Sequence, residues 1–160
     1  MYPRAFHYHR AGSLTEAVTM LSQLGDDAKL LAGGQSLIPL MKLRFANPGH
    51  LVDLNFISGT SYIQEEDGGL RFGALTRHAE IADSALAAKI PIVHDCAAGI
   101  ADVQVRNRGT IGGSLAEADP SGDPLDRLRL VARRPERLMQ PKRTVREQQD
   151  LRLGRRSCGG

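Results

Sequence analysis

The stretch LAGGQSL at residues 31–37 joins a short apolar segment to paired glycines and a following hydroxyl residue. The stretch TIGGS at residues 110–114 has the same arrangement. Glycine permits positive φ and lets a ligand approach the backbone closely, so that successive N–H groups can form a concave anion site. At the first stretch, the N-terminus of a predicted helix adds its partial positive charge. Two such loops predict a clamp for a diphosphate that needs no lysine.

Neither stretch carries an established phosphate-binding signature. The P-loop ends in Gly-Lys-Ser/Thr, and the dinucleotide fingerprint has glycines at its first, third and sixth positions. Paired glycines also occur in simple tight turns. From the residues alone, a tight turn and a phosphate cradle therefore both stay open.

Strand and helix patterns alternate on both sides of the first stretch. A capping box of Ser13 and Glu16 begins a predicted helix, which Gly25 ends. Ser36 is expected to cap a second helix. The elements expected in this half are strands at residues 6–10, 29–32 and 51–54 and helices at residues 14–24 and 37–43.

The following residues, 61–114, predict a hairpin and then several short helices. Asp67-Gly68 supplies the hairpin turn. Thr76 and Ser84 are each expected to begin a short helix. The remaining expected elements are an apolar helix at residues 92–102, a polar turn at residues 106–109 and a short strand at residues 110–111.

This mixture of short strands and helices predicts an α+β fold. The small residues Ser58-Gly59-Thr60 separate two groups of elements and mark an expected boundary between two lobes. The predicted organisation is a first lobe at residues 1–57, a second lobe at residues 58–125 and a basic tail at residues 126–160.

Charge distinguishes the tail from the rest of the chain. Residues 1–125 carry ten basic and 14 acidic side chains, a net charge of −4, whereas residues 126–160 carry 11 basic and four acidic side chains, a net charge of +7. Beyond Arg133 the tail has no apolar face that could pack on a core. The tail is therefore expected to be disordered or translated out of frame. A nucleic-acid-binding arm is a third alternative, but the tail lacks the interleaved aromatic residues of such arms.

Composition narrows the class of protein further. The chain has 160 residues, 41% of them hydrophobic, which suffices for a core. No segment approaches the roughly 18 consecutive apolar residues that cross a bilayer, and the first residues lack a signal-peptide pattern. Two cysteines are too few for a disulfide scaffold or a four-thiolate cluster. We therefore expect a cytoplasmic protein without a membrane segment.

Three ordered motifs resemble the FAD-binding (medium) subunit of molybdenum hydroxylases of the carbon monoxide dehydrogenase and xanthine dehydrogenase type. LAGGQSLIPLMKLR at residues 31–44 is similar to the first flavin loop of that family, and VRNRGTIGGSLA at residues 105–116 is similar to its second loop. ADPSGD at residues 118–123 matches the segment that closes the flavin site. The resemblance extends in register over residues 1–125.

The resemblance implies the two-lobed FAD-binding fold of the vanillyl-alcohol-oxidase (PCMH) type, with its C-terminal part incomplete. It implies non-covalent FAD, because the first loop has no clear counterpart of the His or Cys that attaches flavin in some relatives. It implies no catalytic side chain, since the flavin carries the redox chemistry. The implied FAD contacts are Ala32, Gly33, Gly34, Gln35, Ser36, Leu37, Thr110, Ile111, Gly112, Gly113 and Ser114, with Asp123 at the ribityl chain or the adenosine side.

In the family, a molybdopterin subunit hydroxylates the substrate and an iron–sulfur subunit passes electrons to the FAD, which reduces NAD, a quinone or oxygen. The resemblance implies that this chain is such an oxidoreductase subunit, with those two partner subunits and no nucleic acid. Family members continue well beyond 160 residues. We therefore expect that this chain is truncated and that it binds FAD weakly, if at all. Two alternatives are a stand-alone FAD oxidoreductase of the same fold and a non-enzymatic basic protein that binds polyanions.

Other chemistry-bearing side chains give weaker patterns. His7 and His9 fall on one face of a strand, but the histidines have no metal-ligand spacing, and no metal site is expected. Cys96 lies in an apolar segment and is expected in the core. Arg106 and Arg108 are expected to be solvated loop charges, with contact to phosphates or to a partner subunit as the alternative.

Overall fold

A three-stranded parallel sheet and a two-stranded antiparallel hairpin form the sheets of residues 2–119, the part of the chain that the computed structural model describes. The strands are β1 (His7–Arg10), β2 (Ala28–Leu31), β3 (His50–Asp53), β4 (Ile63–Glu66) and β5 (Gly69–Phe72). The sheet has the order β1-β3-β2, and β4 pairs with β5. In the hairpin turn, Asp67 and Gly68 both have positive φ, 50° and 75°, as the predicted Asp-Gly turn requires.

Six α-helices complete the described part of the chain. They are α1 (Leu14–Leu24), α2 (Leu37–Lys42), α3 (His78–Ala82), α4 (Pro91–Ala98), α5 (Val103–Arg108) and α6 (Ile111–Glu117). Short 3-10 turns lie at Gly25–Asp27 and Ala87–Lys89. The combination of helices with parallel and antiparallel strands confirms the predicted α+β class. None of the helices in residues 2–119 has the length and apolar character needed to span a membrane.

The first hydrophobic core lies where α1 packs against the parallel sheet. Leu51 and Val52 of β3 are buried because β3 is the central strand. Ala17 lies on the buried face of α1 and belongs to the same buried cluster as Val52. The cluster consists of Ala11, Ala17, Val52 and Ile57, with Met20, Leu21, Leu24 and Leu54 packed against it.

A second core lies under the hairpin and the later helices. Ile81 of α3 is fully buried at its centre. The cluster consists of Ile81, Ala87 and Ala97, with Ile63, Leu70, Phe72, Ala82, Val93 and Ile111 packed against it. The residues of the two clusters come from separate parts of the chain, 11–57 and 63–111. The predicted lobe boundary between residues 57 and 58 stays a prediction, because all described residues fall within one compact unit, Met1–Leu128.

Two of the predicted caps form differently from expectation. Ser13 Oγ accepts a hydrogen bond from the Glu16 N–H (3.1 Å), as predicted. The Glu16 carboxylate, however, accepts from the Gly12 N–H (2.7 Å), so the capping box closes one residue early. Ser36 does precede α2, but its side chain makes no capping hydrogen bond with the described residues.

The predicted helix start at Thr76 is wrong. The Thr76 hydroxyl is held by the base of the hairpin, where it accepts from the Tyr62 N–H (3.1 Å) and donates to the Tyr62 carbonyl (2.9 Å). Helix α3 therefore begins after Arg77. The helix expected from Ser84 is reduced to the 3-10 turn Ala87–Lys89, whose N-cap is Leu86. The Ser84 hydroxyl accepts a hydrogen bond from the Ala87 N–H (3.3 Å).

The elements predicted for residues 92–111 are also partly wrong. The expected helix over 92–102 ends at Ala98, and Asp102 caps a new helix, α5, by accepting from the Val105 N–H (2.8 Å). The residues expected as a polar turn include the end of α5. The expected strand at 110–111 is the start of α6, where Thr110 is the N-cap. The predicted tail at 126–160 lies outside the described residues.

Candidate functional site

The two glycine-containing segments meet at one cavity of about 330 Å³. We call residues 32–37 the first loop and residues 108–114 the second loop. The predicted site residues that line the cavity are Ala32, Gly33, Gly34, Gln35, Ser36 and Leu37 of the first loop and Thr110, Gly112, Gly113 and Ser114 of the second loop. Ten of the 12 predicted site residues therefore come together around one space, although about 75 positions separate the loops in the sequence.

Ile111 is not among the described residues that line the cavity. The Ile111 N–H donates to the Thr76 carbonyl (3.1 Å), and its side chain packs on the Ile81 core. Asp123 lies outside the described residues.

The first loop begins at the carboxyl edge of the parallel sheet. The Leu54 N–H donates to the Leu31 carbonyl (3.0 Å), which holds the end of β2 beside the end of β3. Gly34 then adopts a φ of 73°, and the Ile38 N–H donates to the Gly34 carbonyl (3.0 Å) to start α2. Ligands of sheets with parallel strands commonly bind at this edge, beyond the carboxyl ends of the strands.

The first loop presents backbone donors to the cavity. The N–H groups of Gly34, Gln35, Ser36 and Leu37 donate to no other residue within the described part of the chain. They form the uncapped N-terminal turn of α2, where unsatisfied N–H groups and the helix dipole favour an anion. The Gln35 side chain instead donates to the Gly33 carbonyl (3.2 Å) and so stabilises the loop locally. The observed donors fit a phosphate group.

The second loop differs, because the N–H groups of residues 111–113 already have partners in the protein. The Ile111 and Gly112 N–H groups donate to the carbonyls of Thr76 (3.1 Å) and Ala74 (2.8 Å). The Gly113 N–H donates to the Thr110 hydroxyl (3.1 Å), which caps α6. The N–H groups of residues 111–113 are therefore not free to form the anion site expected of the second loop. This loop offers a surface of small side chains rather than free donors.

Three of the four glycines in the two pairs are required by close packing inside the protein. A methyl group at Gly33 would lie 2.4 Å from the Arg108 carbonyl oxygen, and one at Gly112 would lie 2.5 Å from the Ala74 carbonyl oxygen. A methyl group at Gly113 would lie 2.7 Å from the Thr110 hydroxyl. Of the glycines in the two pairs, Gly34 has a positive φ. The Gly33 contact also shows that the two loops touch each other directly.

A polar cluster around the buried Asp53 supports the first loop. Asp53, at the end of β3, accepts hydrogen bonds from the Tyr8 hydroxyl (2.5 Å) and from the Asn55 backbone N–H (2.8 Å) and side-chain amide (2.6 Å). The same Asn55 amide donates to the Ala32 carbonyl (2.9 Å). The hydrogen bond to Asp53 raises the pKa of Tyr8 above its ordinary value, and burial adds to this effect.

His78 supports the second loop. It is a buried residue at the start of α3, and its backbone N–H donates to the Gly109 carbonyl (3.2 Å). Its Nε2 lies at hydrogen-bonding distance from Ser114 Oγ (3.1 Å). Neither His78 nor Asn55 was predicted as part of the site, because neither residue lies in a recognisable motif.

The structure also shows the surroundings of Arg106, of the histidines and of Cys96. Arg106 lies in helix α5 rather than in a loop, and its side chain donates to the Ile100 carbonyl (2.8 Å). It is not among the residues that line the cavity, and the phosphate contact considered for it stays a prediction. His9 Nε2 lies 2.9 Å from His50 Nδ1, and within residues 2–119 no three His, Cys, Asp or Glu side chains are arranged to hold a metal ion. Cys96 is only partly buried in α4.

Comparison with known proteins gives consistent matches. The profile of the family described as "FAD binding domain in molybdopterin dehydrogenase" matches residues 4–132. Carbon monoxide dehydrogenase medium chain from Hydrogenophaga pseudoflava is 50% identical over 124 residues, which are 77% of this chain and 43% of that protein. The 6-hydroxypseudooxynicotine dehydrogenase complex subunit alpha from Paenarthrobacter nicotinovorans is 47% identical over 124 residues, 77% of this chain and 42% of that protein.

Solved structures match equally well. Carbon monoxide dehydrogenase from Hydrogenophaga pseudoflava superimposes with a TM-score of 0.75 at 50% sequence identity, over 78% of this chain and 44% of that one. The chain therefore spans less than half the length of the relatives that it matches.

Proposed function

The chain belongs to the family of FAD-binding domains of molybdopterin dehydrogenases, and we propose that it binds FAD in the cavity between the first and second loops. The observation that carries this proposal is the uncapped turn of α2, whose N–H groups at residues 34–37 have no partner within the described part of the chain. An FAD diphosphate supplies the anionic oxygens that such a turn accepts.

The two loops have different roles in this proposal. The first loop holds the diphosphate through its backbone N–H groups and the Ser36 hydroxyl. The second loop offers the ligand a surface of small residues, since Gly112, Gly113 and Ser114 line the cavity. The Ser114 hydroxyl, which lines the cavity, is held in place by His78, whose Nε2 lies 3.1 Å from Ser114 Oγ. Asp123 remains the proposed partner of the ribityl chain or of the adenosine side.

The finer features of the fold and of the assembly are also proposals. We propose the two-lobed vanillyl-alcohol-oxidase (PCMH) type with lobes at residues 1–57 and 58–125, supported by the separate hydrophobic cores. FAD binding is proposed to be non-covalent. The named relatives are a medium chain and a subunit of a complex, which supports partner subunits that carry iron–sulfur clusters and molybdopterin.

When bound, FAD supplies the redox chemistry: it accepts electrons and passes them on. We propose that the protein is the FAD-binding subunit of a molybdenum hydroxylase and therefore part of an oxidoreductase. The electrons come from the iron–sulfur clusters and leave to an acceptor such as NAD, a quinone or oxygen. The two loops bind and orient the cofactor, and no side chain of the protein is proposed as an acid or a base.

Titration of the purified 160-residue chain with FAD tests the proposal, with flavin fluorescence as the measured signal. Parallel titrations use ADP, which carries the diphosphate, and riboflavin, which lacks it. We expect saturable FAD binding, competition by ADP and weaker competition by riboflavin. Equal competition by riboflavin and none by ADP would exclude the first loop as a diphosphate site, and no saturable FAD binding would contradict the proposed function.

A further inference from the structure

Residues 74–78 form the backing of the second loop. The carbonyls of Ala74 and Thr76 accept hydrogen bonds from residues 112 and 111 at 2.8 and 3.1 Å. The His78 N–H donates to the Gly109 carbonyl (3.2 Å). Arg77 pairs with Thr110 in an isolated β-bridge. The position of the second loop is therefore set by this segment.

Asn55 is the corresponding backing of the first loop. Its side-chain amide has two protons, and they are directed to the Ala32 carbonyl (2.9 Å) and to Asp53 Oδ1 (2.6 Å). Its Oδ1 atom remains as an acceptor, and it receives a hydrogen bond from Arg77. All the hydrogen-bonding groups of this amide are thus engaged, which fixes its orientation.

Arg77 connects the segment that supports the second loop, residues 74–78, with Asn55, which supports the first loop. One guanidinium nitrogen donates to Asn55 Oδ1 and the other donates to the Arg108 carbonyl. A planar guanidinium holds two such donors in a fixed relative direction, which an ammonium group cannot do. The Arg108 carbonyl oxygen is also the atom that a methyl group at Gly33 would approach most closely. The Arg77 guanidinium therefore binds the second loop at the residue where this loop contacts the first loop.

The surroundings of Arg77 distinguish it from a surface ion pair. It is partly buried, and no carboxylate of the described residues forms a salt bridge with it. Burial lowers the pKa of its guanidinium, and the nearby Arg108 lowers it further. The guanidinium donates to two neutral oxygens, and partial desolvation of a cation against neutral oxygens has a cost. That arrangement favours a role in geometry over a role in stability.

We propose that Arg77 is a positioning residue that sets the spacing between the two loops, and this proposal rests on the proposed FAD site. We call Asn55 and Arg77 the brace. The brace acts on the cofactor only through the loops, since neither residue lines the cavity. A ligand that contacts both loops depends on the brace, whereas a ligand held by the first loop alone depends on it less.

The test compares Arg77→Met and Arg77→Lys in the 160-residue chain by titration with FAD and with ADP. The control is Arg71→Met, which removes an exposed guanidinium that pairs with Glu66. We expect Arg77→Met to weaken FAD binding roughly tenfold, in line with the loss of charge-assisted hydrogen bonds. The affinity for ADP should fall less, and the control should leave both affinities unchanged. Arg77→Lys should weaken FAD binding to an intermediate degree.

A change confined to general stability would lower both affinities together, so an unchanged ratio of FAD to ADP affinity would overturn the inference. Full FAD affinity in Arg77→Lys would also overturn it, because charge alone would then suffice. If the parent chain binds no FAD, the proposed function fails. Amide hydrogen exchange in the ligand-free chain then tests whether the brace holds the second loop in position. Arg77→Met should then speed exchange at Ile111 and Gly112, and equal exchange would overturn the inference.

Discussion

Replacing Ser36 with aspartate is expected to weaken FAD binding without weakening the fold. Ser36 is an exposed residue before α2, and its hydroxyl makes no capping hydrogen bond with the described residues. Aspartate is at least as good an N-cap as serine, and a negative charge at a helix N-terminus contributes about 0.3–1 kcal/mol. The free energy of unfolding should therefore stay the same or rise slightly.

The effect on the ligand has the opposite sign. The new carboxylate accepts hydrogen bonds from the N–H groups that are proposed to hold the diphosphate. It also repels a diphosphate of about two negative charges, by about 1.7 kcal/mol at a separation of about 5 Å in a water-like dielectric. That energy corresponds to a roughly fifteenfold rise in the Kd for FAD.

Fluorescence titration at low and high salt measures this effect, with Ser36→Asn as the neutral control. Salt screens exposed charges, so the difference between the aspartate variant and the control should shrink at high salt. An equal loss of affinity in both variants would point to a changed loop shape and would refute the electrostatic reasoning. So would unchanged FAD affinity in Ser36→Asp.

Three further substitutions test the fold. Gly33→Ala should lower the free energy of unfolding by about 1–3 kcal/mol, because the new methyl group would overlap the Arg108 carbonyl, and an unchanged urea midpoint would contradict this contact. Ser13→Ala should cost about 1 kcal/mol for the lost cap in the same assay, and no loss would argue against the hydrogen bond. Tyr8 has a folded pKa that is raised chiefly by its hydrogen bond to Asp53, so its stabilisation is present below the unfolded pKa and is lost as pH rises through the folded pKa. The stability difference between the parent and Tyr8→Phe should therefore be constant near neutral pH and shrink in strongly alkaline solution, and a constant difference throughout would contradict that linkage.

The first loop was predictable because its signals are local. Gly34 needs a positive φ, and the apolar residues after Ser36 have helical spacing, so a turn followed by a helix N-terminus follows from the sequence. The hairpin turn at Asp67-Gly68 is predictable for the same reason. The α+β class rests on such local patterns.

The second loop was predicted less well because glycine has two uses. Gly112 and Gly113 look like residues that end a strand, yet they lie in the first turn of a helix that Thr110 caps. They are small because the Ala74 carbonyl and the Thr110 hydroxyl approach closely, and only the tertiary structure shows those neighbours.

The brace was not predictable from the sequence. Asn55 and Arg77 are 22 positions apart and belong to no shared periodic pattern. Their contact exists because the end of β3 and the segment before α3 are brought together by the fold. Polar networks of this kind depend on side-chain directions that a pattern of apolar residues does not specify.

The central claim is that the backbone N–H groups of the first loop bind the FAD diphosphate. The most direct measurement is NMR of the amides in the isotope-labelled chain during titration with FAD. The account predicts that the largest shift changes occur at Gly34, Gln35, Ser36 and Leu37, with smaller changes at Ile111 and Gly112, whose N–H groups are already bonded. Saturable FAD binding that leaves the amides of residues 34–37 unshifted would contradict the account.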